Sequence, residues 1–442
     1  MNLVSNVKAR IERYKKNILF TRLFTVLSID ILVKVSGIIL LPVYLRLMTQ
    51  EEYGLYGYLL SIIMTFSIVL NFGLYIPLTK FYHELNNSKD KGKLLFTIGL
   101  SLCSLLTIVL LPTYLFKLDY LVIKILFKNT IQYNNYRIPV LLAVIASVFN
   151  FMLSSFFFAS EKISQIKKYN IWRILTINIL SIAALYFFRD SDSVQIRIGA
   201  TYLIEFILFC FFSYAYIKET ILSFNRNIIP ASLKLAFPIM LSAIFGIIIN
   251  FSDKFFLEKF GNDQHGSSFN ELSYYYLAIA CASIIPVIFT SFQNAWLPLF
   301  LKEKDLRVNI EKTNKFTVRL AIIFCCLSVC IFIFIFMIIS TGIIQAKYEK
   351  ALYVLPILLV SQIIAAIVPL YGNYFVYFGK THIVSLSGGF ICLVTLGLSF
   401  LLIPTYKIYG AAIVSVGSNL CYFIIYYFIV KFYVQKNLAK SG

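Results

Sequence analysis

The sequence is poor in charge and in histidine. Only 14% of its 442 residues are Asp, Glu, Lys or Arg, whereas soluble domains average about a quarter. The three histidines, His83, His265 and His382, fall in predicted loops on different faces, so they cannot form one metal or acid–base site. These shortages exclude an ordinary soluble domain and leave no catalytic group of residues, and we predict that the chain is not an enzyme.

Two familiar motifs are absent. The eight cysteines lie in apolar runs without CxxC spacing, so we interpret them as small buried side chains rather than metal ligands or disulfides. No GxxxxGK phosphate loop occurs, which argues against ATP as the direct energy source. We expect no cofactor and a proton or sodium gradient as the energy source.

What the sequence has in abundance is apolar length. Hydrophobic residues make up 60% and aromatic residues 17% of the chain, and the mean hydropathy is +0.82. Since a spanning helix needs about 20 mostly apolar residues, the chain reads as an all-α integral membrane protein whose first span is not cleaved. Twelve spans are predicted, at 22–47, 53–79, 94–116, 138–160, 169–188, 196–217, 233–256, 272–300, 316–340, 351–378, 383–404 and 409–431.

The basic residues orient these spans. With the N-terminus inside, roughly two thirds of the Lys and Arg fall in predicted cytoplasmic segments, as the positive-inside rule requires. We therefore predict a multi-pass protein of the bacterial cytoplasmic (inner) membrane with both termini in the cytoplasm. The net charge of +20 then marks the cytoplasmic face and its anionic lipids rather than a nucleic-acid site.

An internal repeat divides the chain into two halves. At one constant offset Glu52 aligns with Glu271, Tyr56 with Tyr275, Phe81 with Phe300 and Glu84 with Glu303. Duplicated halves are common in transporters. We predict two pseudo-symmetric six-helix lobes, with a basic N-terminus at 1–21, an N-lobe at 22–220, a cytoplasmic linker at 221–232, a C-lobe at 233–433 and a cytoplasmic tail at 434–442.

Several segments resemble a known family. "EEYGLYGYLLSI" and "NFGLYIPLTKFYHE" in the first half, then "NFSDKFFLEKFG", "YYYLAIA" and "QNAWLPLF" in the second, are similar to the polysaccharide transporters and O-antigen flippases of the multidrug/oligosaccharidyl-lipid/polysaccharide exporter (MOP) superfamily. The resemblance covers about residues 18 to 433. One departure is the loop at 261–271, which is longer and more polar than is usual in this family and predicts a different outer gate.

The resemblance implies a MATE-like bundle with a central cavity and alternating access. It also implies a cargo of undecaprenyl-diphosphate-linked oligosaccharide, an O-antigen or capsule repeat unit, with membrane lipids and the polysaccharide polymerase machinery as partners. Alternatives are a multidrug or cation antiporter of the same superfamily, or a membrane glycan polymerase or acyltransferase. Cationic drugs call for a cavity dominated by carboxylates, and an enzyme calls for a sizeable outer loop or an intramembrane histidine.

Charges within the spans are the candidate site residues, because ionised groups at bilayer depth are costly and face the bundle interior. Asp30 and Lys34 share one face of the first span. They form either a structural ion pair or an ion-coupling aspartate beside a lysine that contacts phosphate. On the seventh span, its repeat partner, Asp253 and Lys254 are either an interfacial cap or the same two functions in the second lobe.

Two further charges lie in the first lobe. Glu205 has no basic residue within one turn, so it is either a protonated group hydrogen-bonded between helices or a proton carrier. Arg173 follows two lysines at the predicted inner mouth of the fifth span, where it is either solvated or attracts the lipid diphosphate. Uncharged polar residues available to sugar hydroxyls or to other helices are Asn71, Asn150, Asn178, Gln293, Asn294, Gln362, Asn373 and Asn419.

Overall fold

The structure is a computed structural model that describes residues 36–128, 131–261, 267–303, 305–380 and 382–441. Helices dominate these ranges, and no strand occurs within them. The prediction of an all-α membrane protein is confirmed. Asp30 and Lys34, the predicted charged pair of the first span, lie outside the described residues.

The helices follow the predicted spans closely. Helices α1 to α7 are Ser36–Leu47, Gln50–Leu70, Tyr75–Glu84, Ser88–Leu115, Leu118–Leu126, Tyr133–Ala159 and Ile163–Phe187. Helices α8 to α14 are Ser193–Glu219, Ile228–Phe260, Ser268–Ala282, Ile284–Lys302, Leu306–Ser340, Lys350–Tyr377 and His382–Ser441. The last of these has a kink at Lys407, where the backbone leaves helical geometry between two predicted spans.

Ten helices in the described ranges are long and apolar enough to cross a membrane. Twelve spans stay a prediction, because the first span lies partly outside those ranges and α14 joins two predicted spans. The orientation also stays a prediction, and "outer" and "inner" below mean the predicted outer and inner ends of the bundle.

The outside of the bundle is apolar, as a protein surface in contact with lipid requires. Large side chains such as Ile108, Phe211 and Leu393 are exposed there. Five cysteines are also exposed, so the prediction that the cysteines are buried is wrong for these, namely Cys103, Cys210, Cys325, Cys326 and Cys330.

Each half of the chain packs mainly within itself. Helix α8 packs against α6 and α7 in the first half, and α14 packs against α9 and α13 in the second. The strongest packing between the halves joins α2 and α10. The domain boundaries placed at 221–232 stay a prediction.

The start of α2 is fixed by local hydrogen bonds at the outer end. Thr49 caps the helix: its Oγ1 accepts from the Glu52 N–H, and Glu52 Oε2 accepts from the Thr49 N–H at 2.6 Å. This reciprocal capping box satisfies two backbone donors. Glu271, the repeat partner of Glu52, lies in the first turn of α10. The repeat therefore places related helix starts at the same end of both halves.

Two glycines allow α2 and α10 to approach closely at the outer end. A Cβ atom at Gly54 would lie 1.9 Å from the carbonyl oxygen of Phe269, and one at Gly57 would lie 2.5 Å from the Tyr276 ring. Just below them, Ser61 Oγ and the Tyr276 hydroxyl are 2.7 Å apart. A side chain at Gly54 would collide with the backbone of α10, and one at Gly57 would have to displace the Tyr276 ring.

Further contacts close the outer end. The Tyr58 ring stacks on Phe251, with centroids 5.7 Å apart, and contacts Phe127 edge to face. The buried Glu258 of α9 accepts the Lys128 backbone N–H at 2.8 and 3.0 Å with its two oxygens. The inner continuations α3 and α11 share no comparable packing in the described part of the chain. The halves are thus in close contact at the outer end, whereas toward the inner end α9 of the second half packs against α3 and α4 of the first.

Candidate functional site

The break between α2 and α3 opens the wall of a cavity. Phe72 and Gly73 take left-handed backbone angles, with φ of 53° and 68°; a β-carbon makes this region costly, and glycine avoids that cost. The break leaves Asn71 buried, 3% exposed, and its Nδ2 has no hydrogen-bond partner among the described residues. A buried amide without a partner costs about 1–3 kcal/mol, and a small shift of the cavity wall would let a ligand oxygen remove this cost.

The cavity itself has a volume of about 490 Å³ and lies inward of the α2–α10 contact. Its wall combines α2, α6, α7 and α8 of the first half with Met240 and Ala243 of α9 in the second. Polar lining is supplied by Asn71, Asn150, Arg173, Glu205 and several serines. The volume is in the range of small-molecule sites.

Arg173 and Glu205 form an ion pair on this wall. Arg173 donates from Nε to Glu205 Oε1 at 2.7 Å, and its Nη2 contacts the same oxygen. The expectation that Glu205 has no basic neighbour is wrong, because the partner is supplied by α7 rather than by its own helix. Arg173 also lies deeper than expected: it is about 15 Å along α7 from the inner end, rather than at the mouth.

A second layer of hydrogen bonds orients the carboxylate. Asn150 on α6 donates from Nδ2 to Glu205 Oε2 at 3.2 Å, and the Tyr169 hydroxyl donates to Asn150 Oδ1 at 2.5 Å. Glu205 therefore accepts from two helices at once. Three helices of the first half are tied together at the depth of the cavity.

The pair exposes its two charges unequally. The Arg173 side chain is 43% exposed and the Glu205 side chain only 4%. Among the described residues Nη1 of Arg173 has no hydrogen-bond partner, and a guanidinium carries five N–H donors. The cavity therefore meets the cation, while the carboxylate lies behind it.

Asp253 and Lys254 lie elsewhere. Lys254 donates from Nζ to Asp253 Oδ1 at 2.9 Å and to the Asn250 carbonyl, and the Tyr275 hydroxyl donates to Asp253 Oδ2 at 2.6 Å. Both charged side chains are nearly buried, at 10% and 13% exposed, and neither lines the cavity around Arg173. The structure does not bring this pair together with Glu205 and Arg173.

The uncharged polar residues divide into two groups. Asn71 and Asn150 line the cavity. Others join helices: Gln293 donates to Asn373 Oδ1 at 2.6 Å, and Asn419 donates to Ser361 Oγ at 2.9 Å. Of Asn294 only the backbone is described.

One cation was not singled out by sequence reasoning. Arg197, one turn into α8, lies between two tyrosine rings, 3.7 Å from the Tyr44 centroid and 3.9 Å from that of Tyr56. Its Nη1 also contacts the Met48 sulfur at 3.3 Å. In the described part of the chain no carboxylate pairs with it. Its position in the predicted sixth span was the signal that could have identified it.

Comparison with known proteins gives one family and one fold. The family model described as "Polysaccharide biosynthesis protein" matches residues 20–304. A multidrug resistance MATE family transporter of the MOP superfamily, solved in an inward-facing conformation, has 15% identity and a TM-score of 0.66, covering 93% of this chain and 95% of its own. The lipid II flippase MurJ, in an inward closed conformation, has 15% identity and a TM-score of 0.65, covering 91% and 87%. No curated protein matches. The expected MATE-like fold is confirmed.

Proposed function

This chain belongs to the polysaccharide biosynthesis protein family, and from that premise we propose that it flips a lipid-linked oligosaccharide across the bacterial cytoplasmic membrane by alternating access. The cargo is an undecaprenyl-diphosphate-linked repeat unit of O-antigen or capsule, moved from the inner to the outer leaflet. The observation that carries the proposal is the partly exposed guanidinium of Arg173 in a cavity that lies between the two halves.

The exposed cation of the cavity wall suits a diphosphate. An anion of this kind cannot enter hydrocarbon without paired charges, and arginine binds phosphate through parallel hydrogen bonds. Arg173 can donate hydrogen bonds from Nη1 to a phosphate oxygen while its ion pair with Glu205 is still intact. The buried amide of Asn71 supplies a further donor for a phosphate or sugar oxygen.

Exchange of partners at Arg173 provides a route to ion coupling. When the diphosphate binds Arg173 and draws it from Glu205, the buried carboxylate loses its cation. Protonation then removes the cost of an unpaired buried charge. We propose Glu205 as the coupling residue on this ground, and we retain Asp30 and Asp253 as further coupling groups and Lys34 and Lys254 as further phosphate contacts. For Asp253 and Lys254 to act in this way, the ion pair between them would have to separate in another conformation.

The membrane potential adds to the driving force. Outward movement of two negative charges gains about 4 to 5 kcal/mol per 100 mV when the inside is negative. Arg197 lies about 12 Å outward of Glu205 along α8 and lacks a carboxylate partner among the described residues. It offers the next cation on an outward path.

A multidrug antiporter of the same superfamily is the rival function. Organic cations would need an accessible carboxylate, and Glu205 is 4% exposed behind Arg173. The proposal therefore favours an anionic cargo. Drug sensitivity in a deletion strain, without loss of surface glycan, would favour the rival.

The decisive experiment follows lipid-linked intermediates in a strain that lacks this protein. We expect one diphosphate-linked oligosaccharide to accumulate on the cytoplasmic side and surface glycan to disappear. Complementation with Arg173→Gln should fail, Arg173→Lys should restore part of the export, and Arg226→Gln, a matched change at an exposed linker arginine, should restore it fully. Full export with Arg173→Gln at normal protein level would refute the role of this cavity.

A further inference from the structure

A second polar groove opens at the outer end of the bundle. It has a volume of about 310 Å³, and its lining includes three cations, Arg46, Arg189 and Lys347, and the hydroxyl-bearing Ser193. The cations are exposed and come from three different segments: the end of α1, the loop before α8 and the turn before α13. The cavity around Arg173 shares no lining residue with it.

One buried group in this groove lacks a partner. Ser193 is 8% exposed, and its Oγ makes no hydrogen bond to any described residue. A buried hydroxyl without a partner costs about 1–3 kcal/mol, and a small shift of the first turn of α8 would let an acceptor oxygen in the groove satisfy it. This is a second observation, independent of the cations, that points to an occupant.

The carboxylates near the groove are already engaged. Glu52, the acidic lining residue, accepts from the Thr49 N–H in the capping box. Asp192 caps α8 by accepting from the Val194 and Gln195 N–H groups and contacts the Tyr136 hydroxyl. Three cations thus line a groove with one acidic residue, Glu52, whose carboxylate is already hydrogen-bonded to the first turn of α2.

The groove also joins the two halves of the chain. Arg46, Arg189 and Ser193 belong to the first half and Lys347 to the second. Arg46 donates from Nη2 to the Gly342 carbonyl at 3.5 Å, a long contact across the same junction. The cations of opposite halves repel each other, and an anion in the groove would attract both and so hold the halves together.

We propose that this groove binds a phosphate or diphosphate group at the outer surface, and that its occupancy holds the two halves closed there. The ligand is an oxyanion with several acceptor oxygens, which suits two arginines, a lysine and a hydroxyl. It comes either from a lipid headgroup or from free phosphate or diphosphate. The site stands apart from the cargo cavity and does not require the proposed cargo.

The first test measures binding of radiolabelled inorganic diphosphate to the full-length protein in detergent, in an Arg173→Gln background that removes the cavity cation. We expect saturable binding that weakens about tenfold with Arg189→Gln or Lys347→Gln, as loss of one charge-assisted contact implies. Ser193→Ala should weaken it several-fold, Arg46→Lys should weaken it little, and Arg226→Gln should leave it unchanged. Equal binding by the Arg46→Gln/Arg189→Gln/Lys347→Gln variant and its parent would overturn the site.

The second test measures closure in nanodiscs. Spin labels at Gln50 and Asn270, which contact each other at the outer end through a 3.4 Å hydrogen bond, report the separation of the halves. Diphosphate in phosphatidylcholine discs should narrow the distance distribution if free anion is the ligand, and phosphatidylglycerol alone should do so if a headgroup is. The triple variant should respond to neither. An unchanged distribution under both conditions would overturn the proposed closure.

Discussion

The guanidinium of Arg173 rests on the carboxylate of Glu205, with Nε 2.7 Å from Oε1, although 32 positions separate the two residues along the chain. The pair links α7 to α8 and places a cation in front of an acid at the wall of the cavity. Structure and transport therefore depend on the same two side chains. A set of single and double substitutions separates the two contributions.

Arg173→Gln should lower stability as well as export, because it leaves Glu205 buried without its cation. Breaking a buried pair costs about 3–5 kcal/mol, and the exposure of Arg173 reduces this, so we expect about 1–3 kcal/mol. Arg173→Gln/Glu205→Gln should recover most of that stability but no export. Thermal unfolding in detergent and surface-glycan assays measure the two effects. Recovery of export by the double variant would show that Arg173 acts only through the structure.

Glu205→Gln should change the dependence of transport on the ion gradient. The amide cannot take up a proton, so the step in which cargo displaces Arg173 would no longer be coupled to protonation. Counterflow in vesicles should then lose most of its response to an imposed pH step, and Asp30→Asn provides the parallel test in the first span. The control is Glu311→Gln, an exposed glutamate of α12. An undiminished pH response in Glu205→Gln would remove this residue from coupling.

Glu258→Gln should loosen the outer end. The Glu258 carboxylate accepts the Lys128 N–H with both oxygens, and a hydrogen bond to a charged group contributes about 1.5–3 kcal/mol. The amide retains one acceptor without the charge. We expect cysteines introduced into the cavity to react several-fold faster with impermeant maleimide from outside. Unchanged labelling would mean that the other contacts of the outer end, those of Tyr58 and those between α2 and α10, maintain closure without this hydrogen bond.

The sequence predicted the helical parts of this fold well and the pairing of its charges poorly. Long apolar runs mark where helices lie, and the observed helices follow the predicted spans. Which helices approach each other depends on packing between segments far apart in sequence. Glu205 has no basic residue within one turn of its own helix, and its partner Arg173 belongs to α7, 32 positions away. Neither helix carries a sequence signal for this pairing.

The same reason explains the other differences. The guanidinium of Arg197 packs on two tyrosine rings, one on α1 and one on α2. Such cation–π partners are not charged, so pairing charged residues by sequence does not identify them. Asp253 and Lys254 are adjacent in sequence, and the predictions for them were an interfacial cap or a place in a shared cavity. Their closed arrangement with Tyr275 could not be foreseen, since it is supplied by α10. The internal repeat was the sequence feature most closely related to the tertiary contacts. It aligned Glu52 with Glu271, which lie at the starts of α2 and α10, the two helices that pack against each other between the halves.

The glycines of α2 give the sharpest test of alternating access. A Cβ at Gly57 would lie 2.5 Å from the Tyr276 ring, and one at Gly54 would lie 1.9 Å from a backbone oxygen that cannot move aside easily. Gly54→Ala should therefore oppose closure at the outer end while barely affecting a conformation in which α2 and α10 are apart. Ser67→Cys in the cavity should become reactive to impermeant maleimide from outside, and export should fall at least tenfold.

Gly246→Ala is the matched control for this change. Its added Cβ would meet nothing within 4 Å, and alanine favours helix over glycine by about 1 kcal/mol, so labelling and export should match the parent. If Gly54→Ala also behaves like the parent, α2 and α10 do not need to touch during transport. The closed outer end would then be one resting arrangement rather than a step of the cycle, because a cycle that passes through it cannot tolerate the added methyl group.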